Sequence, residues 1–305
     1  MLVPFYYMIW RNHILFHKNR GRFSRKYLTN MVSEICYPEK NEYFESTSAD
    51  GYAFLGYARS TLGLNATYCR EAIRERNYTL NAEQRIKATG ITVPKTNMYV
   101  YTIWPCVEFL QLSEEHDIIK DLIHIVDEIG TYKNSMVRYC SHEIGYVVPN
   151  VTSAAALLYA MAGQSDRSAA LIDVLRSRQA QGNWYYEIWP SAKKYRMEDP
   201  YHLAMMVYHL RQVQRLADID LSDIICNSLP ILQRLNTKRL QKGSLGWGIP
   251  MLYAATLGLD NGLAYRALSA MMGRNGLWHK NFRVRAISAW ALVKGHEFLQ
   301  EEKEI

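Results

Sequence analysis

The sequence predicts an all-α protein built as an α/α toroid, two concentric layers of helical hairpins around a central cavity. Three observations predict it. Apolar residues recur at three- and four-residue spacing from Ser48 onward, while strand-like alternation is nearly absent. Segments apolar on nearly every side alternate with segments apolar on one side only. A loop carrying glycine and tryptophan returns at Gly182–Trp184, Gly246–Trp247 and Gly276–Trp278, two helices apart each time. Helices touched all round and helices touched on one face cannot be equal partners in a simple bundle, so the first kind forms an inner layer and the second an outer one. Roughly five to six hairpins fit at ordinary helix lengths, and the alternative is an α-solenoid that never closes.

Taken in order, residues 1–47 read as an N-terminal extension with one helix near Tyr27–Ile35, stopped by Pro38, and residues 48–305 as the toroid domain. Tyr52, Leu55, Gly56 and Arg59 share the spacing of the first toroid helix, with Ser48 or Asp50 as its N-cap. A second helix is expected over Thr67–Ala88, stopped by Gly90. Asn97–Leu112 and Glu114–Tyr132 follow with almost no linker, and the second carries the amphipathic set Ile118, Ile119, Leu122, Ile125, Val126 and Ile129. After the loop YCSHEIGYVVPN comes VTSAAALLYAMAG, which has almost no polar face. Its partner, capped by Asp166, has the single stripe Ala170, Leu171, Val174 and Leu175. An aromatic loop ending in a basic segment leads to Pro200–Ala217, apolar over most of its surface, and then to the more amphipathic Leu221–Leu235. The short apolar MLYAATLGL, Asp260–Met272 and Arg283–Leu299 complete the pattern. In such a ring the loops entering the inner helices open at one end. Residues at the inner helix starts therefore converge, and the helix N-termini favour a bound anion.

Composition narrows the class of function. The 305 residues are 49% hydrophobic and 21% charged, as in a globular protein, and 22 tyrosines suit a wet concave surface as well as a dry core. The formal charge of +7 makes an anionic partner plausible, but no helix-turn-helix, zinc finger or RNA-binding aromatic motif accompanies it, which points away from nucleic acid. Much of the excess lies early, in Arg11, Lys18, Arg20, Arg22, Arg25 and Lys26. Together with the apolar opening MLVPFYYMIW this basic segment fits a peripheral membrane contact or a protein contact, but the opening is too short to span a bilayer. Five widely spaced cysteines without a C-x-x-C argue for a reducing compartment. The expected location is thus the cytoplasm, with the inner-membrane surface as a variant of it.

The stretch from Leu175 to Leu210 carries a resemblance. Gln179, Gly182 and Trp184 partly match the Q-W repeat of squalene-cyclase and protein-prenyltransferase folds. The D-x-D-D run of terpene cyclases, the aspartate–cysteine zinc pattern of prenyltransferases and the Cys-Cys-His motifs of lanthionine cyclases are all missing. The sequence is more similar to bacterial α/α-toroid proteins of polysaccharide biosynthesis and, more broadly, to uronate lyases and glucuronyl epimerases. Those proteins read D-G-S-W-Y-Y and then D-N-Y-H at an inner helix start; here Gln181-Gly182-Asn183-Trp184-Tyr185-Tyr186 and Asp199-Pro200-Tyr201-His202 stand in those places. The resemblance covers residues 146–215 well. It implies a saccharide, of anionic uronate type, as partner in surface-polysaccharide metabolism. Two other readings stay open, an isoprenoid cyclase or transferase and a non-catalytic scaffold with a filled ring.

Removing the proton beside a uronate carboxylate takes a base and donors for the growing charge. His202 is the candidate base, Tyr201 or Tyr253 a proton donor or acceptor, and Asn150 the carboxylate holder, with Lys193, Lys194, Arg196, Arg283 or Arg285 attracting the anion. His202 is equally readable as a core histidine, and Asn150 as an N-cap. For glycoside hydrolysis the carboxylates would be two of Glu143, Glu187, Glu198 and Asp199, of which Glu198 and Asp199 also suit a helix first turn. Sugar-facing aromatics would come from Trp184, Tyr185, Tyr186, Trp189, Trp247, Tyr253 and Trp278, although a tryptophan after a loop glycine also serves as a wedge between hairpins. His142, Glu143 and His279 sit on equivalent loops. No spacing specifies a metal, and no cofactor is expected.

Overall fold

The computed structural model describes residues 24–35, 48–80, 83–95, 97–132, 136–191, 193–235, 247–272, 279 and 281–304. The opening MLVPFYYMIW, the basic residues Arg11, Lys18, Arg20 and Arg22, and the loop residues Gly246, Gly276 and Trp278 lie outside them. Among the described residues the helices are α1 (Arg25–Ser33), α2 (Ala49–Thr61), α3 (Thr67–Glu75), α4 (Val100–Gln111), α5 (His116–Ile129), α6 (Pro149–Met161), α7 (Ser165–Arg178), α8 (Pro200–Ala217), α9 (Ser222–Gln233), α10 (Gly248–Thr256), α11 (Asn261–Met271) and α12 (Phe282–Glu304).

The even-numbered helices are the inner layer, and each packs on the next: α2 on α4, α4 on α6, α6 on α8, α8 on α10, α10 on α12, and α12 back on α2. The ring is closed. Tyr52 meets Phe282 at 4.9 Å and Phe54 meets Trp290 at 5.1 Å across the closing contact. The burial pattern follows the sequence: every residue from Pro149 to Ala160 in α6 is buried, whereas α5 buries only its stripe Ile119, Leu122, Ile123, Val126 and Ile129. Helix α1, within the segment expected as an extension, packs on α2 and α12.

Two local expectations are corrected. The helix begun at Thr67 ends at Glu75 rather than Ala88, because Asn77 and Tyr78 take positive φ of 48° and 57°, which a right-handed helix cannot continue. The chain then makes a two-stranded excursion, β1 (Gln84–Arg85) with β2 (Thr92–Val93). The aromatic loop before α8 is also a sheet, in which β3 (Tyr146–Val147), β4 (Tyr185–Ile188) and β5 (Lys193–Met197) pair antiparallel in that order. Strands this short, β4 covered at every position and β5 exposed at all but its last, leave no clear two-residue alternation in the sequence.

The Q-x-x-G-x-W spacing has a structural reason. Gln179 donates to the carbonyl of Ile224 at 2.8 Å and to Ser228 Oγ at 3.2 Å, and accepts from Asn227, so it ties the end of α7 to α9. Trp184, fully buried, donates its indole N–H to Leu175 O at 2.7 Å. Gly182 sits between them at φ 78°, where a Cβ would lie 2.0 Å from the carbonyl oxygen of Asn227. Gly182→Ala is expected to lower unfolding stability by about 2–4 kcal/mol, adding a left-handed backbone cost to a backbone clash that no rotamer relieves. Urea denaturation checks this; a variant within about 0.5 kcal/mol of wild type would mean that α7 and α9 are not held this closely.

Candidate active site

All six inner helices contribute to a cavity of about 460 Å³ at their N-terminal ends. Their polar and aromatic contributions at the mouth lie in or next to a first helical turn, Asp50 from α2, Tyr101 from α4, Asn150 from α6, His202 from α8, Trp247 before α10 and Arg283 from α12, while Phe54, Trp104, Met205 and Ile287 line it one turn deeper. The side walls come from the excursions between helices, with Arg85 and Lys87 on one, Tyr139 and Tyr146 on the next, and Tyr195 and Arg196 on β5.

His202 is placed by its helix start. Asp199 caps α8, its Oδ1 accepting the N–H groups of Tyr201 and His202 at 3.0 and 3.1 Å, and its Oδ2 accepts from His202 Nδ1 at 2.5 Å. One carboxylate therefore starts the helix and fixes the imidazole, leaving Nε2, on a side chain 22% exposed, without a partner among the described residues. Burial disfavours the imidazolium, but the bond to Asp199 and the charges of Glu198 and Asp199 outweigh it, so the pKa of His202 is raised. Trp247 packs against this ring at 5.0 Å. The core-histidine role belongs instead to His209, two turns down α8. It is fully buried against Ser153 Oγ at 2.9 Å, and burial pushes its pKa down to about 3.

Glu198 lies behind the cavity wall. It is buried, its Oε1 accepts the backbone N–H of Asn150 at 3.1 Å, and burial pushes its carboxyl up to about 7, against the opposing pull of His202, the Tyr186 hydroxyl and that N–H. A carboxyl whose folded pKa exceeds its unfolded value of 4.5 costs stability as pH rises from 4.5 to 7, because the unfolded chain releases its proton first. Glu198→Gln, which keeps the acceptor for Asn150, is expected to flatten this fall and to be more stable than wild type at pH 8, by at most about 3 kcal/mol. Melting temperatures at pH 5 and 8 check it, and an unchanged difference between the two would contradict the assignment.

The remaining candidates divide. Asn150 lines the cavity, buried, with no partner for its Oδ1 among the described residues; it is inside α6 and not its N-cap, a position held by Val148. Tyr186 lines the cavity under Arg196, whose guanidinium lies 4.6 Å from the ring centre. Arg283 lines it and pairs with Asp50 Oδ2 at 2.8 and 2.5 Å. Tyr201 does not line it, since its ring is packed on Gly248. Tyr253 is buried against Gly295, and Trp184 is the wedge described above. Tyr185 is stacked under Lys194, and Glu187 is paired with Arg178 at 2.6 Å. Glu143 accepts from Tyr132 and from the N–H of Gly145, and His142 is exposed beside it. His279 accepts the N–H of Asn281. None of these last eight is in the cavity wall.

Sequence reasoning missed Asp50, which was read only as a helix cap. It is 1% exposed, lines the cavity, and keeps Oδ1 without a partner among the described residues. It also missed Tyr101, Tyr139, Arg85 and Lys87. Applying the rule of inner helix starts to every inner helix, and not only to the one before His202, would have found Asp50 and Tyr101.

No protein-family model matches this chain, and no curated protein matches it. Solved structures do. The α-1,6-mannanase GH76A of Salegentibacter sp. HEL1_6 aligns with a TM-score of 0.59 at 10% identity, over 90% of this chain and 98% of that chain. An inactive variant of that enzyme, with two adjacent aspartates replaced, was solved in complex with α-1,6-mannotriose. A possible GH105-family member from Salmonella enterica aligns with a TM-score of 0.57 at 8% identity, over 92% and 95% of the two chains. A family 76 glycoside hydrolase from a bovine Bacteroides thetaiotaomicron strain gives 0.55 at 9%, over 93% and 79%. At these identities the likeness establishes the α/α-toroid fold.

Proposed function

We propose that this protein binds an acidic saccharide in the cavity and removes the proton beside its carboxylate, with His202 as base. The observation that carries the reading is the Asp199–His202 pair, an imidazole held by a carboxylate with its other nitrogen free, set in a wall of tyrosines and cations. His202 Nε2 would take the proton, and the electron pair left behind would be delocalised into the substrate carboxylate, whose charge Arg196 stabilises. A proton given to the opposite face by water or a lining tyrosine hydroxyl, itself reprotonated from solvent, completes an epimerisation; departure of the oxygen substituent one carbon further with its bonding pair, which takes up the proton held by His202 or one from water as the double bond forms, completes a β-elimination. Among the described residues lining the cavity Asp50 is the only carboxylate, and it is paired with Arg283. That arrangement lacks the two free facing carboxylates that hydrolysis uses. The structural neighbours include an enzyme with a bound oligosaccharide, which supports a saccharide in this cavity. A cavity of this size argues against a filled scaffold ring, and the charged groups Arg85, Lys87, Arg196 and His202 beside its apolar floor argue against the dry pocket of an isoprenoid enzyme. We place the reaction in surface-polysaccharide metabolism, in the cytoplasm.

The test is incubation with uronate oligosaccharides in D₂O. The expected result is a rise in melting temperature together with reaction at the carbon beside the carboxylate, read as deuterium entering there if the product is the epimer, or as the ultraviolet absorbance of an unsaturated uronate if the substituent is expelled. Neither effect with any uronate would overturn the reading.

A further inference from the structure

We propose that the cavity selects a saccharide with acidic groups on neighbouring residues, one held by Arg196 beside His202 and the next by Arg85 and Lys87 on the far side of the tyrosine wall. This rests on the reading of the cavity as a saccharide site and goes beyond it in naming an oligomer with more than one charge.

The first ground is which cations are free to take an anion. Arg283 is engaged by Asp50, and Arg178 by Glu187. Arg196 is stacked on Tyr186 and forms no salt bridge among the described residues; its charge lowers the proton affinity of His202, so the two groups serve one position. Arg85 and Lys87 are exposed, line the same cavity, and form no ion pair among the described residues. A wall with three unneutralised cations and a single, already paired carboxylate complements more than one negative charge.

The second ground is where they stand. Arg85 and Lys87 belong to the excursion between α3 and α4, Tyr139 and Tyr146 to the segment between α5 and α6, and Arg196 to β5 between α7 and α8. These are three consecutive junctions of the ring, so the wall reads cations, tyrosines, cation. The tyrosines are held in place: Tyr139 donates to Gln84 at 3.2 Å, and Tyr146 meets Tyr186 and Tyr195 edge-on at 5.6 and 6.0 Å. Burial pushes the Tyr139 and Tyr146 phenols up to about 12, so they stay neutral and present hydroxyls and ring faces to a sugar. A single acidic sugar at Arg196 leaves Arg85 and Lys87 unused, and a diphosphate carries its charges together instead of on two separated elements.

The experiment is titration calorimetry at low salt on the full chain. The ligands are galacturonate, glucuronate and mannuronate monomers and trimers, methyl-esterified trigalacturonate, and α-1,6-mannotriose. The proteins are wild type, Arg196→Gln, the double variant Arg85→Gln/Lys87→Gln, and His202→Ala. All three substituted cations are exposed on short strands or turns, and a melting temperature of the unliganded variants close to wild type serves as the folding control. We expect an acidic trimer to bind about tenfold more tightly than its monomer, the worth of about one charge-assisted contact. The double variant should reduce the trimer to the affinity of the monomer, Arg196→Gln should weaken both, and the ester should bind at least about tenfold more weakly than the acid. A trimer no better than its monomer, or an advantage that survives the double variant, overturns the inference. If mannotriose and the ester bind as tightly as the acidic trimer and His202→Ala weakens them, the saccharide site stands and two-point acidic recognition falls. If no saccharide binds, the site reading itself fails.

Discussion

Replacing His202 with alanine is expected to lower the rate of deuterium exchange into a bound uronate by roughly 10²–10⁴-fold, the usual contribution of a positioned general base. The fold should survive, because the side chain faces the cavity and the α8 cap resides in Asp199. Asp199→Asn separates the two jobs of that carboxylate. Asparagine still caps a helix well, but it removes the negative charge that raises the imidazole pKa. Proton abstraction needs neutral His202, so wild-type activity should rise with pH through that raised pKa. In Asp199→Asn the same rise should move to lower pH, with a lower plateau because the ring has lost its orienting partner. The pH profile of exchange in the two variants is the measurement. A profile for Asp199→Asn that coincides with wild type would mean that His202 is not the titrating base, and full activity in His202→Ala would remove it from the reaction.

The largest effect on stability is expected at the other end of the ring. Glu108 on α4 is buried in the bore, where Oε1 accepts from Tyr208 of α8 at 2.9 Å and lies 3.1 Å from Lys294 Nζ of α12, and Oε2 accepts from the Trp290 indole at 2.8 Å. Lys294 also bonds the Tyr57 hydroxyl of α2 and lies 3.6 Å from Glu297. Burial disfavours the Lys294 cation, but Glu108, Tyr57 and Glu297 more than compensate and its pKa is raised. This carboxylate thus links three of the six inner helices across the axis, and Lys294 extends the link to α2. Glu108→Leu leaves a buried ammonium and two buried donors short of an acceptor, and should cost about 3–5 kcal/mol, or roughly 10 °C in melting temperature. Glu108→Leu with Lys294→Met removes both charges and should recover only the share due to the unpaired ammonium, since the Tyr208 hydroxyl and the Trp290 indole still lack their acceptor. Thermal unfolding of the three proteins decides it; a single variant as stable as wild type would show that the ring closes without this link.

Both effects lie on inner helices, and these are where sequence reasoning succeeded and failed in a consistent way. The layer assignment was legible because burial on all sides leaves a continuous apolar segment, as in VTSAAALLYAMAG, and burial on one side leaves a stripe, as in the isoleucines of α5. The cavity end was legible for α8 and α6, where Asp199, His202 and Asn150 are polar residues at the head of apolar segments. Strands β4 and β5 were not, since a four-residue strand covered at every position and a five-residue strand exposed at nearly every one carry no firm period. The Q-x-x-G-x-W motif was legible as a motif but misplaced in purpose: its glutamine holds the end of α7 to α9, its tryptophan holds the loop back on α7, and the cavity begins only beyond it, at Tyr186.

By itself the sequence determined the class of fold, the alternation of layers, and the helix start that carries His202. Periodicity, capping and apolar content are local properties, written within one or two turns of chain. Only the tertiary structure decided that the ring closes, through α12 on α2, and that Asp50 meets Arg283, 233 positions away in the chain. It alone decided that the candidate aromatics divide into wedges and walls. Those outcomes depend on which side chains from distant segments reach the same few cubic ångströms, and no spacing along the chain encodes a distance across it.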